Sequence, residues 1–299
     1  MTILLNIRYF LEYLVLRLII GFVRLFPLDT AVSLSAKIWS KLAPRGRRHR
    51  RALANLAKAF PEKTEQEREE IALAMWANLG RVMAETMLLD RILKDPDRII
   101  LDNDFINKRY NGKMGSAICV SMHSGNWELS SLPMVRAGIK PAGVYRLVNN
   151  PYVDMYLRST RKELYPGGLF ARGKSGGVNA GADTARMIGS YVRQGGRLGF
   201  LCDLHDRKGI EVPFFGHPAK STAFPAMLAR RVGSRMWIGR CIRIGKESRF
   251  KVEARELKVP RTDDADTDIQ NIIADMQHQF EIWIREYPEQ WMWSNRRWS

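Results

Sequence analysis

His123 and Glu128 stand five positions apart in SMHSGNWELS (residues 121–130), directly after an apolar run. The apolar run predicts a buried strand, SGN a turn, and Trp127 the start of a helix with Asn126 as its N-cap. Functional groups gather at the carboxyl ends of strands in open α/β sheets. Across such a junction the two side chains can converge, and a histidine oriented by a carboxylate is a general base. A structural histidine beside a surface glutamate is the alternative.

The chain contains no G-x-S-x-G motif of the kind that presents a serine nucleophile. The base would therefore activate a hydroxyl that belongs to the substrate. A different chemistry also stays open, because a bound metal can activate water to hydrolyse a phosphoester. The side chains available as ligands for it are His123, Glu128, Asp203, His205 and Asp206.

Arginines follow another predicted helix start. In YRLVNNPYVDMYLRSTRKEL, Asn150 and Pro151 are typical of an N-cap and a first helical residue. Arg158 and Arg161 lie three positions apart on the predicted helix and so share a face. An arginine fork suits oxyanions and phosphates alike.

Two further segments carry charged side chains near predicted strands. Arg172 and Lys174 lie in the glycine-rich segment GLFARGKSGG, which we interpret as a loop. Asp203 ends the predicted strand RLGFLCD. A loop with the hydrophobic residues of PFFG (213–216) follows it.

The net charge of +17 calls for anionic partners: nucleic acid, anionic lipid or a phosphorylated substrate. The basic residues are spread along the chain, and the run RGRRHRR (45–51) is not interleaved with aromatic residues as a nucleic-acid stacking platform would be. We therefore expect no nucleic-acid partner. The three cysteines are far apart and odd in number, which favours reduced thiols facing the cytosol.

The N-terminal segment from residue 3 to 26 is strongly apolar, but Arg8, Glu12, Arg17 and Arg24 interrupt it. A spanning helix needs about 20 apolar residues with few charges. The segment is thus interpreted as a membrane anchor, either spanning or interfacial, with a buried core helix as the alternative. The basic run that follows favours the cytoplasmic face and anionic lipid.

The remaining pattern divides the chain near residue 92. Residues 1–92 are predicted to be helical, and Thr64 with Glu67 form a capping box. Beyond Pro96, short apolar runs alternate with amphipathic segments, which is typical of a mostly parallel α/β sheet flanked by helices. SRMWIGRCIRI and RFKVEARE predict a hairpin, and a last helix is predicted from Thr267 to Glu286.

The C-terminal segment YPEQWMWSNRRWS combines three tryptophans with two arginines. The tryptophans are Trp291, Trp293 and Trp298. They are typical either of a membrane-interface belt or of a cap on the core, in which case Arg296 and Arg297 would be solvated.

Four segments carry a resemblance when they are taken in order. HSGNWE, YRLVNNPYVD, CDLHDRKGIEVPFFGHPA and PEQWMWSNRRW together resemble the late acyltransferases of lipid A biosynthesis, the lauroyl/myristoyl transferase family within the lysophospholipid acyltransferase-like group. The resemblance covers the chain from about residue 95 to its end. Ser124 stands where the family usually has Phe, and LHD replaces the usual acidic and amide residues after Asp203.

The resemblance implies a glycerolipid acyltransferase-like domain over residues 93–299, behind a membrane-associated helical region over 1–92. It implies transfer of an acyl chain from an acyl carrier protein thioester to a hydroxyl of a phosphorylated glycolipid, the lipid A precursor. The site would be on the cytoplasmic face of the anionic inner membrane. No metal and no bound cofactor are implied. Another glycolipid or a lysophospholipid is the alternative acceptor.

In this mechanism His123 is the base and Glu128 orients it. Arg161 and then Arg172 are the candidates for oxyanion stabilisation or phosphate binding, and Asp203 is expected to support the arginines or the acceptor. The candidate substrate-binding residues are Asn126, Arg146, Asn149, Arg158 and Lys174.

Overall fold

A computed structural model describes residues 3–101, 115–172 and 180–298 of the chain. Its helices are α1 (Ile3–Val23), α2 (Leu28–Leu42), α3 (Arg47–Ala59), α4 (Glu65–Met87), α5 (Leu89–Leu93), α6 (Leu132–Arg136), α7 (Pro151–Thr160), α8 (Ala180–Arg193), α9 (Phe224–Val232) and α10 (Ala265–Glu286). Short 3₁₀ turns span Ala43–Arg45, Pro96–Arg98, Trp127–Ser131 and Pro288–Gln290.

The strands form one large sheet and one separate hairpin. They are β1 (Ile99–Leu101), β2 (Ala117–Ser121), β3 (Ala142–Arg146), β4 (Leu169–Arg172), β5 (Arg197–Leu201), β6 (Ile210–Phe214), β7 (His217–Ser221), β8 (Arg235–Arg243) and β9 (Phe250–Leu257). The large sheet has the order β1-β9-β8-β2-β5-β3-β4, and its only antiparallel pair among the described strands is β8–β9. The predicted class, a mostly parallel sheet flanked by helices, is confirmed.

Several local predictions are confirmed with it. The two runs read as a hairpin are β8 and β9, which pair antiparallel across a turn at Gly245. The last helix begins at Ala265, two residues earlier than predicted. Thr64 and Glu67 form the capping box at the start of α4. Asn126 caps the 3₁₀ turn that precedes α6.

Two segments interpreted as loops are strands. Arg172 is the last residue of β4 rather than a loop residue. The segment around PFFG forms the β6–β7 hairpin, in which Pro213 lies opposite Pro218. Proline supplies no ladder N–H and is typical of edge strands, so its presence obscured both strands in the sequence pattern.

The N-terminal helices and the sheet share one hydrophobic core. Residues of α3 and α4, such as Leu56 and Met75, pack in the same buried cluster as Val120 of β2 and Phe280 of α10. The boundary predicted near residue 92 stays a prediction, and α5 ends beside it at Leu93.

The C-terminal tryptophans cap this core. Trp291 and Trp293 are fully buried, and Trp298 lies against the Phe214 ring. The expectation of solvated arginines is wrong for Arg297, which is 1% exposed. Its guanidinium lies over the Phe214 ring and donates to the Ser221 hydroxyl and the Gln277 side chain.

Most of helix α1 lies outside the core, although its last residue, Val23, packs against a buried cluster. Ile20 is its buried residue, while large apolar side chains such as Leu4 and Leu18 are more than 70% exposed. The buried-core alternative for this segment is therefore wrong. Within the described part of the chain, no helix combines the length and the apolar character needed to cross a membrane.

Candidate active site

Strand register brings His123 and Asp203 together. Strands β2 and β5 are parallel neighbours, and Ser121 pairs with Leu201 at their carboxyl ends. The backbone N–H of Cys202 donates to the carbonyl of Ser121 and continues the ladder. His123 and Asp203 each lie two residues beyond this pair, so the two chains deliver them to the same point above the sheet.

The Asp203 carboxylate is fully buried and accepts hydrogen bonds from three groups. Its Oδ1 lies 2.8 Å from His123 Nδ1, and its Oδ2 accepts the His123 backbone N–H at 3.0 Å. The indole Nε1–H of Trp291 donates to Oδ2 at 2.8 Å. A carboxylate at Nδ1 keeps the proton there and leaves Nε2 with its lone pair, as a general base requires.

Opposite electrostatic effects act on the two partners. Burial alone would lower the pKa of His123, but the charge and hydrogen bond of Asp203, together with the charge of Glu128, raise it above its ordinary value of 6.5. Burial would raise the pKa of Asp203, but the imidazolium and the three hydrogen bonds hold it below its ordinary value of 3.8. The site therefore stabilises an aspartate anion beside an imidazolium.

Glu128 does not occupy the place that the sequence suggested. It was expected to orient His123, whereas its buried carboxylate forms a two-point ion pair with Arg161. The distances are 2.8 Å from Arg161 Nε to Oε2 and 2.5 Å from Nη2 to Oε1. Arg161 follows the last residue of α7, so this pair joins that helix to the His123 turn. Asp203, expected to support the arginines, is the carboxylate that holds His123.

Asn126 lies inside the protein rather than on a substrate surface. Its Oδ1 caps the backbone N–H of Glu128, and its Nδ2 donates to Glu85 at 3.0 Å. Glu85 in turn forms a buried two-point ion pair with Arg243. Gly125 completes the turn at φ +57°, where a Cβ would stand 2.0 Å from the Cys241 carbonyl oxygen. The turn therefore requires glycine at position 125. Its backbone is held in place by the buried contacts of Asn126 and by the close approach of Cys241.

The other predicted binding residues are dispersed. Arg146 and Arg172 end the adjacent strands β3 and β4, pair in register, and line the cavity mouth with His123. The Arg172 side chain is 72% exposed and lies 3.7 Å from Asp206. Asn149 and Arg158 are exposed beyond the cavity wall. Lys174 lies outside the described residues.

A cavity of about 810 Å³ opens at His123 and continues over the face of the sheet. Its floor crosses the strands along one register row, with Leu169, Gly143, Gly199, Cys119 and Trp237 as neighbours. Gly199 and Cys119 leave room that branched side chains would normally fill in a parallel sheet, whereas the Tyr165 ring packs directly against Gly143. Opposite walls come from Met134 and Tyr165 and from residues of α4: Leu79, Val82, Met83 and Thr86.

A sequence model of the bacterial lipid A biosynthesis acyltransferases matches residues 2–299. The chain belongs to this family. It is 26% identical to the lipid A biosynthesis myristoyltransferase of Escherichia coli (strain K12) over 264 residues, which cover 82% of this chain and 73% of that protein. The lipid A biosynthesis acyltransferase 1 of Shigella flexneri is 26% identical over 267 residues, with the same shares.

Membership in the lipid A acyltransferase family implies that the protein is an O-acyltransferase. Across residues 3–101, 115–172 and 180–298, no three His, Cys, Asp or Glu side chains group so as to hold a metal ion. Sequence reasoning missed Trp291 as a partner of Asp203 and Glu85 as the anchor of the turn. Neither carries a local signal, since each meets its partner only through the fold.

Replacing Asp203 with Asn should lower the pKa of His123. The native carboxylate stabilises the imidazolium, and without its charge the burial penalty dominates. His123 should therefore titrate above pH 6.5 in the native protein and below it in Asp203→Asn. Histidine-selective NMR between about pH 5 and 9 would measure the pKa of His123 in both proteins. The His123→Ala variant assigns the signal, and Asp206→Asn is the matched control. If His123 has the same pKa in Asp203→Asn and in the native protein, the ion pair between His123 and Asp203 is contradicted.

Proposed function

We propose that the chain transfers an acyl group from an acyl carrier protein thioester to a hydroxyl of a lipid A precursor. The observation that carries this proposal is the His123–Asp203 pair at the mouth of an apolar cavity. Such a cavity suits a hydrocarbon chain, and the pair supplies a base at the point where the chain would begin. The family supports acyl transfer in lipid A biosynthesis, whereas the carrier-protein donor and the mechanism belong to the proposal.

The reaction needs no covalent enzyme intermediate. Nε2 of His123 takes the proton of the acceptor hydroxyl as its oxygen attacks the thioester carbonyl carbon. A C–O ester bond forms, the C–S bond breaks, and the imidazolium returns the proton to the leaving thiolate. Asp203 stabilises the imidazolium between these two proton transfers, the role we assign to it in place of Glu128.

Arg161 is the proposed electrophilic partner. Its pairing with Glu128 outweighs the burial penalty and raises the pKa of its guanidinium, so the charge is kept. Arg161 lines the cavity with His123. It would stabilise the developing oxyanion or bind a phosphate of the acceptor, and Glu128 would position it for either role. Arg146 and Arg172 at the mouth would receive the anionic parts of the substrates.

The apolar arm of the cavity is the proposed acyl site. Cys119 lies two residues before the end of β2 at Ser121, so the arm extends about 7 Å or more along the sheet from the strand end that leads to His123. Trp237 and Leu169 close the two ends of the register row. A chain lying over Gly199 would contact the strand backbone directly, since no side chain intervenes.

Helix α1 is the proposed membrane contact. It is held beside the site because Asn150, the cap of α7, donates to the Tyr9 carbonyl, and Tyr152 donates to Asn6. Its exposed leucines would enter the interfacial layer, while the net charge of +17 favours anionic lipid and an acidic carrier protein. We propose that the catalytic region faces the cytoplasm at the inner membrane.

A transfer assay with labelled acyl carrier protein thioesters and a lipid A precursor tests the function. His123→Ala should reduce turnover by about 100-fold or more while folding normally, because the base is lost. Activity should survive a chelator. Arg161→Ala should lower kcat if the guanidinium stabilises the oxyanion, and should raise KM alone if it binds phosphate.

Near-native turnover by a folded His123→Ala protein would refute the mechanism. Transfer only to another glycolipid or a lysophospholipid would replace the acceptor and keep the class. Activity lost with the chelator and restored by metal would favour the phosphoester hydrolase instead.

Gly199→Ala should shorten the acyl chain that the enzyme prefers. An added Cβ would lie 3.7 Å from the Ala142 carbonyl oxygen and 3.8 Å from Tyr165, so it fits without displacing the backbone yet fills the arm. Transfer of the longest accepted chain should fall about tenfold relative to a shorter one. Gly189→Ala on α8, which only meets the end of Arg193, is the matched control. An unchanged chain-length profile would place the acyl chain elsewhere.

Polar substitutions on α1 should release the protein from membranes. In vesicles containing phosphatidylglycerol, co-flotation should be lost in a Leu4→Ser/Leu11→Ser/Leu18→Ser triple variant, because all three side chains are exposed. A triple variant of Met187, Met227 and Ile244 to Ser, which are exposed on other elements, controls for lost surface hydrophobicity. Equal flotation of the two triple variants would contradict the assignment.

A further inference from the structure

The C-terminal segment crosses directly over the His123 turn. Trp291 forms an isolated β-bridge with Ser124, and the Gly125 N–H donates to the Gln290 carbonyl at 3.2 Å. The N–H of Met292, the residue after Trp291, donates to the His123 carbonyl at 3.2 Å. The segment therefore fixes the backbone of the turn as an added strand would.

The same segment also reaches the carboxylate below the imidazole. The Trp291 indole N–H donates to Asp203 Oδ2, the oxygen that also accepts the His123 backbone N–H. The other oxygen is left to the imidazole. Trp291 is 1% exposed and Asp203 is fully buried, so water cannot replace the indole without opening the core.

We propose that Trp291 is a positioning residue, which holds the Asp203 carboxylate in the orientation that carries the His123 imidazole. A carboxylate held at one oxygen only by a backbone N–H can rotate and lose its alignment with Nδ1. The indole N–H also draws negative charge toward Oδ2, which moderates the attraction of the carboxylate for the imidazolium. Trp291 thereby sets both the direction and the strength of the base. This inference rests on the proposed function for its effect on turnover.

A packing role alone predicts a different result from a positioning role. Trp291 also contacts the rings of Phe214 and Trp293, with ring centroids 5.8 Å and 4.6 Å away. Trp291→Phe keeps an aromatic ring there and removes the N–H donor. Trp293 offers a matched control, because it is fully buried in the same segment and its indole donates to the Pro288 carbonyl at 2.6 Å instead.

The experiment compares Trp291→Phe with Trp293→Phe in the full-length protein. Histidine-selective NMR should show His123 titrating at a different pH in Trp291→Phe than in the native protein: higher if Oδ1 keeps its bond to Nδ1 and its charge is no longer shared with the indole, and lower if the carboxylate turns away from Nδ1. The kcat should fall about tenfold, as expected for a lost hydrogen bond to a charged group, with KM unchanged. The acid limb of its pH–rate profile should move in the same direction as this titration.

Trp293→Phe should leave the His123 titration and kcat unchanged in the folded protein. If the His123 pKa and kcat are the same in the two folded variants, Trp291 contributes only packing, and the inference is overturned. If Trp291→Phe does not fold, Trp291→His, which can supply a ring N–H at that position, should fold and titrate nearer the native protein. Failure of Trp291→His to do so would also overturn it.

The two proposals fail in distinguishable ways. If the native protein transfers no acyl chain, the proposed function fails, while the NMR titration of His123 still tests the role of Trp291. If the native protein is active and the titration is unaffected by Trp291→Phe, the function stands and only the positioning role fails.

Discussion

The charge on the buried Asp203 carboxylate is the constraint on which the site depends. An anion in the protein interior is tolerated only when donors replace the water it has lost. Here the donors come from the His123 turn and from Trp291, which are far apart in sequence. The pairing of His123 with Asp203 therefore depends both on the parallel pairing of β2 with β5 and on the docking of the C-terminal segment.

Two further buried carboxylates hold the frame around this pair. Glu128 binds Arg161, and Glu85 binds Arg243 while accepting from Asn126. Each anion thus has its own cation, and removal of either partner would leave an uncompensated buried charge, typically at a cost of about 3–5 kcal/mol. Because Arg161 and Arg243 are paired with Glu128 and Glu85, the cationic partner of Asp203 is the protonated imidazole of His123.

Helices and strands could be predicted from the sequence more reliably than the contacts between side chains that are distant along the chain. Apolar runs and turn residues located β2, β5, the β8–β9 hairpin and α10, because those signals are local. His123 contacts a carboxylate, but that of Asp203 rather than that of Glu128, which the sequence had suggested. Glu128 is near His123 along the chain, whereas Asp203 meets it only through the Ser121–Leu201 register. A single sequence does not specify which strands are neighbours, so that contact could not be derived.

The register row that forms the cavity floor lies on the strands that position His123 and Asp203. Parallel strands are usually filled with branched side chains, yet β2, β3 and β5 place Cys119, Gly143 and Gly199 side by side below the base. Unfilled apolar volume forfeits packing energy, so this arrangement is a cost to the empty protein that an acyl chain would offset. Under the proposed function, the row that opens the cavity lies on the strands that align His123 with Asp203, so chain binding and base placement share one sheet.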